Sequence, residues 1–166
     1  MPNDQQLIER VRQINADITI RPGRADDAQQ FVDLMNSQYK RQKSVDYFNW
    51  QFLNPACPTG LFVAMAGDAL AGCFGVQILR LSTSVNCAFT VDLLIAEPYR
   101  NRGLFYLLEV EAAAFAKHHQ AVAMAALPNL AGMKAHREEH NRDEQFFDVI
   151  QVFTHGFLTT VACMGI

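Results

Sequence analysis

Residues 92–105 read DLLIAEPYRNRGLF, and this stretch decides the fold. The apolar pattern of residues 86–95 predicts a strand, and the pattern of residues 103–119 predicts a helix with one apolar face. Residues 121–126 predict a second strand. A strand, a helix and a strand in this order require a right-handed crossover, so the two strands are expected to be parallel neighbours.

The sequence on either side of this unit predicts further strands. Two strands, at residues 61–66 and 69–81, are joined by the turn dipeptide Gly67-Asp68 and lead into residues 86–95 as an antiparallel meander. After the unit, a helix is predicted at residues 130–141, and two strands are predicted at residues 145–153 and 157–163.

The first third of the chain is mainly helical. Apolar residues recur at helical spacing from Leu7 to Ile14, and residues 18–20 alternate as a short strand that stops at Pro22-Gly23. Asp26 or Asp27 is expected to cap a helix whose apolar face contains Ala28, Phe31, Val32, Leu34 and Met35. A short helix is predicted at residues 45–52, before Asn54-Pro55. We therefore expect residues 1–16 to form a helical extension and residues 17–166 to form one mixed α/β domain.

Composition excludes several classes of function. Half of the 166 residues are apolar, 19% are charged and the net charge is −3, so the chain is expected to fold and offers no basic field for nucleic acid. The N-terminus has no signal-peptide pattern, and no run reaches the ~18 apolar residues of a membrane span, so a cytoplasmic protein without a membrane partner is predicted. The four cysteines form no C-x-x-C pair, and Cys73 and Cys87 are expected to be buried in strands rather than to bind metal.

The turn before the second long helix predicts a phosphate site. The first N–H groups of a helix have no partner within it, and the helix dipole adds a partial positive charge there. Gly103 allows the backbone to approach a ligand closely, while Arg100 and Arg102 add formal charge. Together these features are typical of a phosphate or pyrophosphate cradle, although arginines at a helix start can also be merely solvated.

The same residues resemble the acyl-CoA loop of the GNAT superfamily of N-acyltransferases. That loop reads Q/R-x-x-G-x-G/A, and here it is Arg100-x-x-Gly103-x-Phe105, with Phe105 where glycine or alanine is common. The predicted order of elements over about residues 17–160 is similar to that of the family. Three further matches resemble a subgroup found near bacterial polysaccharide genes: the segment from Trp50 to Pro55, the segment from Asp92 to Phe105, and Pro128-Asn129.

The resemblance implies a GNAT-like fold, with a central, mixed but mostly antiparallel sheet and helices on both faces. It implies that acetyl-CoA, or another acyl-CoA, places its pantetheine arm along the backbone of Leu93, Leu94 and Ile95, with Asn129 near the arm. The pyrophosphate is implied to rest on the N–H groups of five residues: Asn101, Arg102, Gly103, Leu104 and Phe105. The acyl group then passes to a primary amine of a small molecule, for which the subgroup suggests an amino sugar.

Three residues are candidates for proton transfer. Asp92 is a charge within the apolar strand FTVDLLIA, so we expect a base or an amine anchor there, with a structural ion pair to an arginine as the alternative. Glu97, at the following turn, is a second candidate base. The family's acid is usually a tyrosine seven residues after the asparagine; here that position is His136, which can donate a proton or be merely solvated on a charged helix.

Two other functions compete with an acyltransferase. A non-catalytic module that binds acyl-CoA would keep the loop from Arg100 to Phe105 and lack a working acid and base. A zinc hydrolase would use the H-x-x-E-H pattern of His136, Glu139 and His140, although that pattern often occurs by chance. The apolar residues 157–166 could pair with a second subunit, which gives a possible homodimer, or cover the chain's own core.

Overall fold

The computed structural model describes residues 4–83, 85–126 and, as strands, 147–154 and 157–164. Four helices are described within these ranges: α1 (Asp4–Ile14), α2 (Ala28–Gln38), α3 (Val45–Phe48) and α4 (Leu104–His118). The strands are β1 (Ile18–Pro22), β2 (Thr59–Ala66), β3 (Ala69–Ser82), β4 (Val85–Ile95), β5 (Ala121–Ala126), β6 (Phe147–Thr154) and β7 (Phe157–Met164). Short helical turns at Ala25–Asp27, Asn49–Leu53 and Glu97–Tyr99 complete the described elements.

The seven strands form one sheet in the order β1-β2-β3-β4-β5-β7-β6. Every neighbouring pair is antiparallel except β4 and β5, which are parallel and are connected by α4. The predicted meander and the predicted crossover are therefore both confirmed. Neighbouring parallel strands need a crossover connection, because the chain must return to the end of the sheet at which the first strand began. The helix α4 makes that connection between β4 and β5.

Helices cover both faces of the sheet, as the fold class predicted. On one face, α1 and α4 pack over Phe62 and Phe74, with Leu104 and Leu108 almost fully buried. On the other face, Phe31 of α2 and Phe48 of α3 pack over the strands. Val11 of α1 is buried in the first cluster, so α1 is packed onto the core. The division of the chain at residue 16 stays a prediction.

Several local predictions need correction. The Asp27 side chain does not cap α2; it is buried and bonded to Arg21 instead. The predicted helix at residues 45–52 consists of α3 followed by a π-turn, Asn49–Leu53. The helix predicted from residue 103 begins at Leu104, with Gly103 as the residue before it. The helix predicted at residues 130–141 lies outside the described residues.

Candidate active site

The parallel strands β4 and β5 separate partway along their length. Their pairing runs from Asn86 with Ala121 to Phe89 with Ala125, and β5 ends at Ala126. The remainder of β4, residues 90–95, has no described pairing on the β5 side, whereas its other edge pairs with β3. This part of β4 therefore offers backbone N–H and C=O groups to a ligand, as an exposed strand edge does.

A bulge distorts β4 at the same level. Gly75 of β3 pairs with Val91 and Cys73 pairs with Leu94, so two residues of β4, Asp92 and Leu93, lie opposite one residue of β3. Asp92 has a φ of 50°, which is uncommon for a residue other than glycine. Extra residues of this kind redirect a side chain and are frequent beside active sites.

The bulge directs the Asp92 carboxylate toward α3. The hydroxyl of Tyr47 donates a hydrogen bond of 2.8 Å to Oδ2 of Asp92. Burial raises the pKa of Asp92, while the Tyr47 hydrogen bond and the charge of Lys43 oppose that rise. Asp92 thus has a tyrosine as its direct partner, and Lys43 is a neighbouring cation. An ion pair with an arginine, the alternative from the sequence, is not among the contacts of Asp92 with the described residues.

Three residues that the sequence analysis missed surround Asp92. The Lys43 ammonium lies 3.9 Å from the centroid of the Tyr47 ring. Burial and then the charge of Asp92 raise the pKa of both Tyr39 and Tyr47, so both phenols are neutral at pH 7. These residues precede β4 by some 40 positions, and no spacing rule links them to that strand. No local sequence signal therefore indicated their contact with Asp92.

The loop between β4 and α4 has the backbone geometry of a close-approach turn. Asn101 and Gly103 have φ values of 61° and 74°. A Cβ atom at Gly103 would lie 3.1 Å from both Cγ methyl carbons of Val11, so glycine is favoured there by space as well as by φ. The first hydrogen bond of α4 runs from the Tyr106 N–H to the Gly103 carbonyl. The N–H groups that precede it are placed as a helix N-terminus places them for an anion.

The two arginines of this loop are engaged differently. Arg102 donates to the Ile14 carbonyl (3.0 Å) and to the Asp17 carboxylate (2.9 Å), while the Asn15 side-chain amide donates to the Arg102 carbonyl (2.9 Å). These bonds tie the loop to the end of α1. Arg100 is exposed, and its Nε donates to the Ile95 carbonyl at 3.2 Å.

The sequence profile of the acetyltransferase (GNAT) family matches residues 26–140, more than two thirds of the chain. The chain belongs to the GNAT family. The sequence-based assignment to GNAT-type acetyltransferases is thereby confirmed, while the narrower subgroup stays a prediction. None of the curated proteins matches the chain significantly.

Solved GNAT structures share the fold at low identity. An acetyltransferase from Streptococcus agalactiae is 13% identical with a TM-score of 0.65, covering 89% of this chain and 99% of its own. An aminoglycoside acetyltransferase from an uncultured soil metagenomic sample, in complex with sisomicin, is 13% identical with a TM-score of 0.65, covering 86% and 97%. Arabidopsis thaliana NAA60 in complex with acetyl-CoA is 15% identical with a TM-score of 0.63, covering 87% and 96%. These likenesses show a shared architecture.

The predicted GNAT site residues fall into three groups. Asp92 lies on the β4 bulge, and Glu97 lies exposed in the turn Glu97–Tyr99. Leu93, Leu94 and Ile95 pack into the core clusters through their side chains, which leaves only their backbone for a ligand. Leu104 is buried and the Phe105 ring packs against Phe74 with centroids 5.9 Å apart, so these residues too can act only through the backbone.

Other predicted residues lie outside the described part of the chain: Asn129, His136, Glu139 and His140. In the described ranges, no group of three or more His, Cys, Asp or Glu side chains is arranged to hold a metal ion. Cys73 and Cys87 are buried in β3 and β4, as predicted. In the same ranges, no helix combines the length and the apolar character that crossing a bilayer requires.

Proposed function

We propose that the chain transfers an acyl group from acetyl-CoA, or another acyl-CoA, to a primary amine of a small molecule. The observation that carries this proposal is the edge of β4 at residues 90–95, which has no described pairing on the β5 side and leads directly into the loop of Gly103 at the start of α4. One ligand that has amide groups in a flexible arm and phosphates at one end fits both features, and acyl-CoA is such a ligand. The acetyl-CoA complex of a protein with the same fold supports this choice.

Each part of the site has a role toward the cofactor. The backbone of Leu93 and Leu94 would pair with the amides of the pantetheine arm, while the Ile95 carbonyl already accepts hydrogen bonds from the Gln38 and Arg100 side chains. The N–H groups of residues 101–105 and the free donors of Arg100 would receive the pyrophosphate. Acetyl-CoA supplies an electrophilic thioester carbonyl; the protein supplies the orientation and the proton transfer. The left-handed backbone at Asn101 and Gly103 supports this role, because turns of this kind direct successive backbone N–H groups toward an anion.

We assign proton handling to Asp92. A primary amine is protonated in water near pH 7 and must lose a proton before its nitrogen can attack a carbonyl carbon. The Tyr47 hydroxyl is hydrogen-bonded to Oδ2 of Asp92. We therefore propose that Oδ1 accepts the amine proton, directly or through one water. A carboxylate whose pKa is raised by burial is a better proton acceptor than an exposed one. Glu97 is the second candidate base, and the roles of Asn129 and His136 stay predictions.

The acceptor site is proposed beside Asp92. The Trp50 ring is 64% exposed, and its centroid lies 6.0 Å from that of Tyr47. A large exposed aromatic surface next to a carboxylate suits an amine carried on a ring, and an amino sugar is one such acceptor. The complex of a similarly folded aminoglycoside acetyltransferase with sisomicin supports this class. A cytoplasmic location and a homodimer also stay predictions.

The test is release of free thiol from acetyl-CoA in the presence of separate amines: amino sugars, aminoglycosides, polyamines and amino acids. We expect at least one amine to give saturable turnover, with a product heavier than the amine by one acetyl group. Saturable CoA binding with no turnover across the whole panel would contradict catalysis and favour the non-catalytic module. One zinc ion per chain in the purified protein would contradict the acyltransferase mechanism and favour the hydrolase.

A further inference from the structure

Asp92 is held by a side chain from a different part of the chain. Its only described hydrogen-bond donor to the carboxylate is the hydroxyl of Tyr47, on α3, at 2.8 Å. We propose that Tyr47 and Lys43 are positioning residues for Asp92: Tyr47 fixes the orientation of the carboxylate, and Lys43 keeps it negatively charged. This inference rests on the proposed role of Asp92 as base or amine anchor, and it adds two residues to that role.

Tyr47 is rigidly placed. The neighbouring residue, Phe48, is only 1% exposed, and its ring contacts Phe31 (centroids 5.3 Å apart) and Phe52 (5.5 Å). Because Phe48 anchors α3 in the core, the backbone of the neighbouring residue Tyr47 is held in place. The Tyr47 hydroxyl therefore stays directed at the bulge. A side chain whose rotamer is set by packing holds its partner more precisely than one on a mobile loop.

Lys43 is placed by its backbone. The Asn36 side chain accepts from the Lys43 N–H at 2.7 Å and donates to the Lys43 carbonyl at 2.9 Å. This pair of bonds fixes the segment between α2 and α3, and the Lys43 ammonium lies over the Tyr47 ring at 3.9 Å. A cation at this distance from an aromatic face is attracted by the ring quadrupole. Substitution of the Lys43 side chain leaves both backbone bonds in place.

The groups that face Asp92 leave it as the titrating member of the cluster. Among the described residues, these groups are Tyr47 on α3, Lys43 before it, Tyr39 after α2 and Cys73 on β3. Burial, together with the Asp92 charge, raises the pKa of Tyr39, Tyr47 and Cys73, so all three are neutral near pH 7. Lys43 supplies the positive charge. Loss of the Tyr47 hydroxyl or the Lys43 charge must therefore raise the pKa of Asp92 further.

The first experiment titrates Asp92 in the free protein, by the carboxyl ¹³C shift of labelled aspartate with the Asp92 signal assigned through Asp92→Asn. We expect Tyr47→Phe to raise the midpoint by about one pH unit, and Lys43→Gln to raise it by about half a unit. Lys43→Arg should restore the wild-type midpoint. Tyr39→Phe is the matched control, because Tyr39 senses the Asp92 charge but makes no described hydrogen bond to it, and it should leave the midpoint nearly unchanged.

The second experiment follows kcat/KM against pH with an accepted amine. The acidic limb should move to higher pH in Tyr47→Phe and Lys43→Gln by the same amounts as the midpoints. The plateau kcat of Tyr47→Phe should fall about tenfold, because the carboxylate loses its fixed orientation. A merely structural role for Tyr47 would lower thermal stability without moving the acidic limb.

Three outcomes would overturn the inference. These are an unchanged midpoint in Tyr47→Phe, an equal shift in Tyr39→Phe, or a shift in Lys43→Arg as large as that in Lys43→Gln. Failure of the proposed function looks different: the wild-type chain then turns over no amine, while the titration of the free protein still gives an answer for Tyr47 and Lys43.

Discussion

Asp27 is buried and Asp92 is half-buried, and their carboxylates are held in opposite ways. Asp27 is 4% exposed and accepts two hydrogen bonds from the Arg21 guanidinium, at 2.7 and 2.8 Å, and one from the Arg24 N–H at 2.7 Å. Its pKa is lowered, first by the Arg21 hydrogen bond. Asp92 accepts one hydrogen bond, from an uncharged phenol, and burial raises its pKa.

The difference is the one expected between a structural carboxylate and a reactive one. Asp27 has a charged partner and three donors, so its charge is compensated and its proton affinity is low. Asp92 is half-buried without a direct charged partner, so its proton affinity is high. One of its two carboxylate oxygens has no described donor. Under-compensated charges of this kind concentrate at functional sites, because catalysis needs a group that can take up and release a proton. We therefore propose that Asp27 stabilises the fold and that Asp92 takes part in the chemistry.

The largest expected effect comes from Asp92→Asn. Activity on any accepted amine should fall by about 10²–10⁴-fold, the usual contribution of a positioned general base. Stability at pH 7 should not fall. The folded-state pKa of Asp92 is raised, so its stabilising contribution belongs to the protonated form and is lost as pH rises through that pKa. Asparagine carries no charge and tolerates the positive φ of 50° at this position.

Thiol-release kinetics and thermal unfolding of the same sample check both halves of this prediction. Glu97→Gln is the matched comparison, since Glu97 is the other candidate base and lies exposed in the turn after β4. If Glu97→Gln lost activity and Asp92→Asn kept it, the role of base would pass to Glu97. A marked loss of stability in Asp92→Asn would make Asp92 a structural residue like Asp27.

The next effect in size is on stability and comes from Asp27→Asn. Loss of the charge weakens three hydrogen bonds and leaves Arg21 without its counter-ion, so we expect the free energy of unfolding at pH 7 to fall by about 2 kcal/mol. The folded-state pKa of Asp27 is lowered, so this stabilisation is present above the unfolded-state pKa and disappears as pH falls through the folded-state value.

Urea unfolding at pH 7 and at pH 2 measures this dependence. The difference between wild type and Asp27→Asn should be large at pH 7 and smaller at pH 2, because the stabilisation is lost as the pH falls through the lowered pKa of Asp27. Asp26→Asn is the control, because Asp26 is exposed one position away and should change stability by less than about 0.5 kcal/mol. Reduced affinity for CoA in Asp27→Asn at a temperature where the protein is folded would contradict a purely structural role.

The two aspartates also show how far the sequence predicts the structure. The charge of Asp92 within an apolar strand singled it out, because a lone charge in such a run needs a reason to be buried. Its partner Tyr47 lies 45 residues earlier, and no local pattern encodes a contact of that kind. Asp26 or Asp27 was predicted to cap α2, which is a local rule. The Asp27 carboxylate instead accepts hydrogen bonds from Arg21 of β1.

The same reasoning holds for the fold. Strand alternation, turn dipeptides and the strand-helix-strand order predicted the meander and the parallel pair, since these depend on neighbours in sequence. The bulge at Asp92 and the separation of β4 from β5 depend on how the completed sheet packs. The proposed position of the site came from the resemblance to the acyl-CoA loop, since periodicity gives no information about a ligand.

The smallest effect extends the comparison to Arg100 and Arg102. Arg102 is committed to the Ile14 carbonyl and to Asp17, as Arg21 is to Asp27, whereas Arg100 is exposed and its described bond uses only Nε. Arg102→Ala should therefore lower the free energy of unfolding by about 1 kcal/mol, since it breaks one partly exposed ion pair and one hydrogen bond. Arg100→Ala should leave stability unchanged and weaken CoA binding about tenfold, the loss of one charge-assisted contact.

Calorimetric titration with CoA and thermal unfolding of each single variant separate these roles, and the double variant should show both losses. If the double variant bound CoA with wild-type affinity, the phosphate cradle at this loop would be refuted. If Arg102→Ala weakened CoA binding more than Arg100→Ala did, its bonds to α1 would have to open when the cofactor binds. The distinction between a paired, structural charge and a less compensated, functional one would then fail for the arginines while it could still hold for the aspartates.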